Sequence, residues 1–365
     1  MHTIDGVASR PISSRELNRT LLVRQSLVRR SGASLPGVLH RVAGLQTQYA
    51  PAGYVGLWSR SELRDRETLT TALERRSVVQ ATLVRATIHM VSAHDFPIWL
   101  AAIRRWRREW WTKLSEHESR SDRDVTGAVA LVSDALADGP RRRRELEALL
   151  AEAGHPEGIW GAVELWLDMV RVPPSGTWDR RRADLYGRAD LWTDMPATEP
   201  RQATASLFEQ YLGAYGPSTI ESASTWTGVP KAALTEASES RPLRAFESDT
   251  GEHLVDLPRR PIADAGLEVP VRFLPTWDDI LLVHARRAGV LREEHRHLIF
   301  NTKMPHSVGT FLVDGVVAGT WRPSADGVTV EPFDPIPRRW RRELEEERRA
   351  LTAFHARRGS STGGR

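Results

Sequence analysis

Two glutamines separated by one threonine, Gln46 and Gln48, are the residues whose type and spacing best fit a chemical task; they are called the Gln pair below. Two carboxamides two residues apart can hold one water molecule and one polar substrate atom between them. On an unbroken helix they would point about 200° away from each other. Gly44 before them and Pro51 after them allow a helix to end here. We therefore predict a helix terminus or an extended turn at the mouth of a basic channel; surface amides on a helix are the alternative.

The composition argues against several other chemistries. The chain has no cysteine, which removes disulfides, thiolate nucleophiles, thiolate zinc sites and iron–sulfur clusters. It has only three lysines, so a lyase mechanism has few amine nucleophiles to use. Neither a Walker loop nor a dinucleotide glycine fingerprint occurs. The spacing of Glu293 and four nearby histidines matches no established metal site; these are His284, His295, His297 and His306. We expect no metal and no cofactor.

Four segments can be read together as one pattern. They are Gly-Leu-Gln-Thr-Gln at 44–48, the helix at 17–25, Val-Arg-Ala-Thr-Ile-His-Met-Val at 84–91 followed by Asp95, and Phe-Leu-Pro-Thr-Trp-Asp-Asp-Ile-Leu-Leu at 273–282. In order and spacing, this pattern resembles the AlkZ-like family of winged-helix DNA glycosylases, which carry a Gln-x-Gln or Gln-x-Asp catalytic motif. It extends over about residues 14 to 345. One departure is visible: the family often has His-Ala-Asp-Arg after residue 283, and this chain reads His-Ala-Arg-Arg, so no role of that Asp is transferred.

The resemblance implies that Gln46 and Gln48 hold the hydrolytic water and contact the deoxyribose. A neutral amide is a poor general base, so the reaction must need almost no base. Hydrolysis of the N-glycosidic bond of an N7-alkylated purine meets this condition, because alkylation makes the leaving base cationic. Oriented dipoles can then stabilise the oxocarbenium-like sugar and position water. Gln at position 48 is similar to family members that unhook interstrand crosslinks formed by natural products such as azinomycin.

Two further residues of the matched segments, His89 and Asp278, are candidates for organising the site. On a strand, His89 shares a face with Thr87 and Val91, and a structural histidine bonded to a backbone carbonyl is an equally good interpretation. The matched motif makes Asp278 an organising residue, whereas a helix N-cap before Ile280 is the ordinary explanation. The sequence leaves both alternatives open for each residue.

Basic residues are clustered, although the net charge is only +4. Nearly all of them are arginine, whose planar fork matches phosphate oxygens, and several patches on one face would attract DNA in a salt-dependent way. Codon bias in a GC-rich genome also explains an arginine excess, and a solvated helix face paired with Glu explains any single patch. We predict DNA contacts for Arg104, Arg105, Arg107, Arg108, Arg141, Arg142, Arg180 and Arg181.

The hydrophobic spacing predicts an α+β fold that is mainly α, with three tandem winged-helix motifs. Helices are expected from Ser14 to about Arg29, from Ser34 onward and from Glu67 to Arg75, with strands following over 78–85 and 87–92. Helices followed by a two-stranded wing are the order of a winged helix. The same order recurs from 125 to 187 and from 203 to 257, without a residue-level repeat. In the last of these ranges, a turn at 228–230 is followed by a helix expected from Lys231 to Glu239.

These motifs set the predicted domain boundaries. In chain order we expect a flexible N-terminus (1–13), winged helix 1 with the Gln pair (14–120), winged helix 2 (121–198), winged helix 3 (199–265), a β-rich region with a final helix (266–357) and a disordered tail (358–365). The Asp-Gly step within 311–321 predicts a hairpin with a tight two-residue turn. Such a hairpin can enter a DNA groove or cover the core as an ordinary edge.

One function is preferred and one alternative is kept. We expect a monofunctional DNA glycosylase that acts on damaged double-stranded DNA as a monomer, excising N7-alkylpurines and unhooking crosslinks in repair or in self-resistance to a toxin. The alternative is a winged-helix transcriptional regulator without catalytic activity, which needs a specific operator and usually a dimer. No apolar run approaches the length of a membrane span, so we expect a cytoplasmic, nucleoid-associated protein.

Overall fold

The computed structural model describes residues 9–63, 65–115, 122–284, 288–300 and 308–356 of the chain. Three predictions concern residues outside these ranges: the flexible N-terminus up to residue 8, the tail 358–365, and the Ala-Arg-Arg step after His284. The described residues form a mixed α and β fold. Within the same ranges, no helix is long and apolar enough to cross a lipid bilayer.

The chain begins with a short strand, β1 (Arg10–Ile12), and a helix, α1 (Ser14–Arg24). β1 pairs in parallel with residues 246–248, and Ile12 is buried there. The prediction of flexibility up to residue 13 is therefore wrong for this strand, because both its backbone groups and its apolar side chain find partners. Ser13 then caps α1 through a capping box, which fixes where the helix begins.

Residues 35–92, here called the first unit, fold as helix, strand, two helices and hairpin. Their elements are α2 (Leu35–Val42), β2 (Leu45–Gln46), α3 (Ala50–Arg60), α4 (Glu67–Glu74), β3 (Val78–Thr82) and β4 (Ile88–Ser92). β2 pairs antiparallel with β4, with Leu45 opposite Met90 and Gln46 opposite His89. Gly44 turns the chain from α2 into β2 with a φ of +69°, and a Cβ there would stand 3.1 Å from the Met90 carbonyl oxygen. Glycine is therefore required at the entrance to the Gln pair.

The same order of elements recurs twice. After α5 (Asp95–Ser115), the second unit (residues 122–188) contains α6 (Asp122–Ala135), β5 (Arg141–Arg142), α7 (Arg143–Glu152), α8 (Trp160–Trp166), β6 (Met169–Arg171) and β7 (Leu185–Arg188). After α9 (Ala189–Trp192), the third unit (residues 200–256) contains α10 (Pro200–Tyr215), α11 (Ile220–Thr227), α12 (Lys231–Glu239), β8 (Arg244–Ser248) and β9 (His253–Asp256). In the third unit, a single bridge between Ser218 and Val255 takes the place of the first strand.

The first and second units share one sheet. Its strand order is β2-β4-β3-β6-β7-β5, and the two hairpins meet where Gln80 pairs with Arg171. The predicted boundary between residues 120 and 121 therefore separates two units along the chain without separating their sheet. The third unit has its own sheet, in which β1 lies beside β8 and β8 beside β9.

The remaining part of the chain is a sheet covered by a helix. Its elements are β10 (Arg272–Leu274), α13 (Asp279–Leu282), α14 (Arg296–Ile299), β11 (Gly309–Val313), β12 (Val316–Ser324), β13 (Gly327–Pro332) and α15 (Arg338–Ala356). The four strands are antiparallel in the order β10-β11-β12-β13. α15 buries Trp340, Leu344, Leu351 and Phe354 against them, as expected of an amphipathic helix.

The predicted hairpin at 311–321 is confirmed as the pair β11 and β12. Asp314 and Gly315 form its two-residue turn, both with positive φ, as an Asp-Gly turn requires. The turn is bound to α1: Arg19 donates to the Asp314 carbonyl oxygen over 2.8 Å, and Asn18 donates to that of Gly315 over 3.0 Å. These bonds favour the edge hairpin over a hairpin that enters a DNA groove.

Candidate active site

The Gln pair lies on an extended segment between two helices. Gln46 is the last residue of β2, and Gln48 follows it before α3 begins at Ala50. In an extended chain, side chains two residues apart point to the same side. Gln46 is largely buried and Gln48 is exposed. The prediction of a helix terminus or extended turn is confirmed, its place at the mouth of a basic channel stays a prediction, and the alternative of surface amides on a helix is wrong.

Each carboxamide is oriented by one protein donor. Arg85 Nη2 donates to Gln46 Oε1 over 2.8 Å, and the Ile88 backbone N–H donates to Gln48 Oε1 over 3.2 Å. Because both donors can only donate, the oxygen of each amide must face them. Each oxygen keeps a second lone pair, and none of the described residues accepts a hydrogen bond from either Nε2 group. Donors and acceptors of both amides are therefore left for water and substrate.

Arg85 connects the Gln pair to two other parts of the chain. It lies in the one-turn helix Val84–Ala86 between β3 and β4, with a φ of +55°. Besides Gln46, its Nη2 donates to Asp279 Oδ1 over 2.6 Å, and its Nη1 donates to the Trp226 carbonyl oxygen over 2.9 Å. The first unit, the third unit and the C-terminal part of the chain thus meet at one guanidinium.

His89 is a neutral residue of β4 that lies opposite Gln46 of β2. Its Nδ1 lies 3.1 Å from the Thr87 carbonyl oxygen, which can only accept, so the proton is on Nδ1 and Nε2 carries the lone pair. Nε2 lies 3.4 Å from Arg85 Nη2. Burial first, and then the charge of Arg85, lower the pKa of His89 to about 3. The backbone-bonded histidine foreseen as one alternative is the arrangement observed.

Two adjacent aspartates, Asp278 and Asp279, bind different arginines. Asp278 caps α13 by accepting from the Ile280 N–H, and its Oδ1 also accepts from Arg60 Nη2 over 2.8 Å. The side chains of Asp278 and Arg60 are both fully buried. Asp279 binds Arg85, and burial raises the pKa of its carboxyl. The N-cap explanation of Asp278 is therefore confirmed, while its neighbour contacts the arginine of the Gln pair.

Most of the arginine run at 104–108 is bound inside the protein. Carboxylate or carbonyl oxygens at residues 165–168 accept hydrogen bonds from Arg104, Arg107 and Arg108. Arg105 is exposed, and within the described part of the chain its ion pair is with Glu109, along α5. This run attaches α5 to the second unit, which is a structural use that the sequence did not reveal.

The other arginines predicted to contact DNA also differ in whether their guanidinium groups are bound within the protein or exposed. Arg141 donates to the Ala135 carbonyl oxygen over 2.6 Å, whereas Arg142 is partly exposed and lies 3.4 Å from Asp184. Arg180 and Arg181 are exposed. The exposed guanidinium groups are the ones that remain candidates for phosphate binding.

The connection between β6 and β7, residues 172–184, is here called the arginine loop, and an aromatic anchor fixes it. Its Trp178 is buried and packs edge-on against Tyr54 of α3 and Phe354 of α15, with ring centroids 5.7 and 5.9 Å away. The guanidinium of Arg66 lies 4.5 Å above the same indole. The arginine loop of the second unit is thus held on the first unit.

The anchor brings basic residues next to the Gln pair. Arg181 Nη1 donates to the hydroxyl of Tyr49 over 2.7 Å. Tyr49 directly follows Gln48 and is 39% exposed, which is high for a tyrosine beside a buried strand. An exposed aromatic ring and an arginine in contact with it therefore lie one residue along the chain from the Gln pair.

Sequence reasoning missed several residues that complete this site. Arg85 lies in a matched segment and Asp279 is the second Asp of another, yet neither was selected, because nothing in the sequence shows that they meet. Arg60 lies in a helix that the spacing did not predict, and Tyr49 lies in the predicted turn but was not identified as a site residue. Within the described residues, no group of three or more metal-ligating side chains lies together.

Comparison with known proteins identifies the chain as a DNA glycosylase. It belongs to the AlkZ-like DNA glycosylase family, whose model matches residues 39–354. Over 360 residues it is 27% identical to a Streptomyces sahachiroi protein named "Interstrand DNA cross-link repair glycosylase", and the match covers 89% of this chain and 91% of that protein. The solved structure of the Streptomyces sahachiroi DNA glycosylase AlkZ has a similar fold, with a TM-score of 0.77 at 22% identity over 94% of this chain and 97% of that chain. The resemblance noted in the sequence is confirmed.

Proposed function

We propose that this enzyme is a monofunctional glycosylase that hydrolyses the N-glycosidic bond of N7-alkylated purines in double-stranded DNA and unhooks purines held in interstrand crosslinks. The observation that carries this proposal is the Gln pair, with two fixed carboxamides whose N–H groups and second lone pairs remain for ligands. The name of the Streptomyces sahachiroi relative supports the crosslink as a substrate. No cofactor enters this proposal.

The chemistry suits a site built from amides. In an N7-alkylpurine the base is cationic, and when the C1′–N9 bond breaks, its electron pair neutralises that charge. No acid is needed to expel the base. Water adds to C1′ and releases a proton to solvent, so the enzyme has to hold the water and favour a cationic sugar. Fixed dipoles can do both, and Gln46 and Gln48 supply them.

We also propose that the three units are winged-helix motifs within the predicted ranges 14–120, 121–198 and 199–265. In such motifs, the third helix commonly enters the DNA groove. Here the third helix of the first unit exposes Glu67 and Glu74, and that of the third unit exposes Glu236 and Glu239. Exposed acidic residues on these helices disfavour the reading of an operator sequence. They therefore support a glycosylase over a transcriptional regulator.

The arginine loop is the surface that we assign to the DNA backbone. Arg180 and Arg181 are exposed there, and the Trp178 anchor fixes their distance from Gln48. Arg181 uses one nitrogen on Tyr49, which leaves its other donors for a phosphate. A loop held in place loses little conformational freedom on binding, which favours contact with the nucleotide next to the lesion.

Removing the Arg181 guanidinium tests this surface. Arg181→Ala is expected to weaken binding to an undamaged duplex and to lower the slope of log K against log salt by about 1, the change for one lost phosphate contact. Fluorescence anisotropy at several salt concentrations measures both quantities. Arg342→Ala is the matched control, because that arginine is also highly exposed but lies on α15. An unchanged slope in Arg181→Ala removes the arginine loop from the DNA interface.

The proposed reaction is tested with two damaged duplexes and an undamaged one. One contains a single N7-methylguanine and the other an N7-guanine interstrand crosslink. We expect alkali-labile breaks in the first and separation of the strands of the second on a denaturing gel. If the protein binds both duplexes but cuts neither, the glycosylase is refuted and a regulatory or lesion-shielding protein takes its place.

The ratio of the two rates addresses biological role. A strong preference for the crosslinked duplex supports self-resistance against a crosslinking toxin, and comparable rates support general alkylation repair. We expect activity to be linear in protein concentration, because a monomer suffices when no operator symmetry has to be matched. A rate that rises with the square of concentration contradicts the monomer.

A further inference from the structure

We propose that Arg85 and Asp279 form a positioning pair that holds the Gln46 carboxamide for the reaction. The inference rests on the proposed glycosidic hydrolysis, to which it adds two residues. Neither of them needs to touch the substrate, because Arg85 acts through the oxygen of Gln46 and Asp279 acts through Arg85.

The geometry saturates one nitrogen of the guanidinium. Nη2 has two hydrogens, and it donates to Gln46 Oε1 over 2.8 Å and to Asp279 Oδ1 over 2.6 Å. Its contact with His89 Nε2, at 3.4 Å, is the longest of the three. Nη1 is held by the Trp226 carbonyl oxygen over 2.9 Å. Acceptors in three separate elements therefore fix the plane of the guanidinium, and with it the orientation of the Gln46 amide.

Asp279 also offsets the positive charge of Arg85. An arginine beside the Gln pair would by itself disfavour the positive charge that develops on the sugar. Asp279 is almost completely buried, and its carboxylate neutralises that guanidinium at short range. The pair can thus orient the amide without adding net positive charge to the site. Polarisation of the amide by Arg85 further strengthens the donors on Gln46 Nε2.

The backbone is built to place this side chain. Arg85 and Ala86 both have left-handed backbone angles, with φ of +55° and +54°, in the turn of the β3–β4 hairpin. Such angles are uncommon for residues other than glycine, asparagine and aspartate. A turn of ordinary type would direct the arginine elsewhere. Strained backbone at a catalytic site is a recurrent way to fix a side chain in a chosen position.

The pair also predicts an acid limb in the rate profile. Asp279 faces Arg85 from the hairpin, Arg60 from α3, Tyr215 from α10 and its own neighbour Asp278. Burial, opposed by Arg85, raises the pKa of the Asp279 carboxyl. As the pH falls through this raised pKa, Asp279 is protonated and releases Arg85. The rate should therefore fall on acidification in the wild type and lose that dependence in Asp279→Asn.

The test measures the single-turnover rate of N7-methylguanine excision and, separately, DNA affinity. The proteins compared are wild type, Arg85→Ala, Arg85→Lys, Asp279→Asn and the double variant Arg85→Ala/Asp279→Asn. We expect Arg85→Ala to lower the rate on the order of 10-fold to 10²-fold with little change in affinity. The rate of Arg85→Lys should lie between the rates of wild type and Arg85→Ala, because one ammonium group cannot reach all three acceptors of the planar guanidinium. The double variant should be no slower than Arg85→Ala, since the two residues act in series. Arg201→Ala, a highly exposed arginine on α10, is the control.

Each result has one meaning. If wild type is inactive, the proposed function fails and this inference falls with it. If wild type is active and Arg85→Ala keeps its full rate, or the double variant loses the product of the two single effects, the positioning pair is wrong while the glycosylase stands. Melting temperatures identify a variant that merely unfolds. In that case the size-preserving variants test the positioning pair, Arg85→Lys through its intermediate rate and Asp279→Asn through the loss of the acid limb.

Discussion

Replacing either glutamine of the Gln pair by alanine is expected to lower the single-turnover rate of base excision by about 10²-fold to 10³-fold, the effect of losing one preorganised dipole at a developing charge. Gln46→Ala removes the group that Arg85 orients, and Gln48→Ala removes the exposed amide that accepts from the Ile88 N–H. The rate at saturating enzyme isolates the chemical step, while DNA affinity should change little because the proposed contacts with the DNA backbone are made by exposed arginines and not by the Gln pair.

Isosteric and remote variants sharpen this prediction. Gln48→Glu keeps an acceptor for the Ile88 N–H but loses the amide donors, so its rate shows whether those donors are needed. Gln202→Ala, an exposed glutamine on α10, should behave as wild type. The double variant Gln46→Ala/Gln48→Ala should cost less than the product of the single effects, because in the proposed mechanism both amides act on one water and one sugar. Full activity in Gln46→Ala and Gln48→Ala would remove the Gln pair from the mechanism.

The elements that sequence predicts well are those with local signals. The helix Lys231–Glu239 was predicted with these bounds, and the Asp-Gly turn at 314–315 was found where it was expected. A turn that contains glycine and proline precedes the helix, and the left-handed backbone angles of the hairpin turn favour Asp-Gly. Local chemistry decides both features, so no knowledge of distant contacts is needed.

The helix α3 shows why other elements escape such reasoning. Gly53 and Gly56 lower the helix propensity of this segment and hide its periodicity. Tertiary packing reverses that preference, because a Cβ on Gly53 would stand 2.7 Å from the Thr47 side chain. The glycines are therefore needed where the helix approaches the strand of the Gln pair. This reason is visible only once both segments are in place.

The site itself was only half predictable. The Gln pair, His89 and Asp278 were chosen from the matched segments, but Arg85 and Asp279 are 194 residues apart and their contact is set by the fold. The run of arginines at 104–108 illustrates the opposite error. Sequence shows a cluster of charge, and only burial shows that most of it binds the second unit instead of remaining exposed.

Breaking the ion pair between Arg60 and Asp278 is expected to have the largest effect on stability. Both side chains are fully buried, and Arg60 connects α3 to the cap of α13 and to Gln25 beyond α1. Arg60→Met leaves the Asp278 carboxylate buried without its cation, a loss of about 3–5 kcal/mol. For a chain of this size such a loss lowers the melting temperature by about 4–7 °C.

Differential scanning calorimetry of three variants separates the lost attraction from the stranded charge. Arg60→Met should melt lowest, and Arg60→Met/Asp278→Asn should regain part of the loss, because asparagine removes the buried charge and still caps a helix. Arg201→Met, at an exposed arginine, should change the melting temperature little. Equal melting temperatures for Arg60→Met and Arg201→Met would mean that this pair does not hold α13 beside the Gln pair. In that case, the placement of Asp279 against Arg85 would have to depend on the packing of α13 alone.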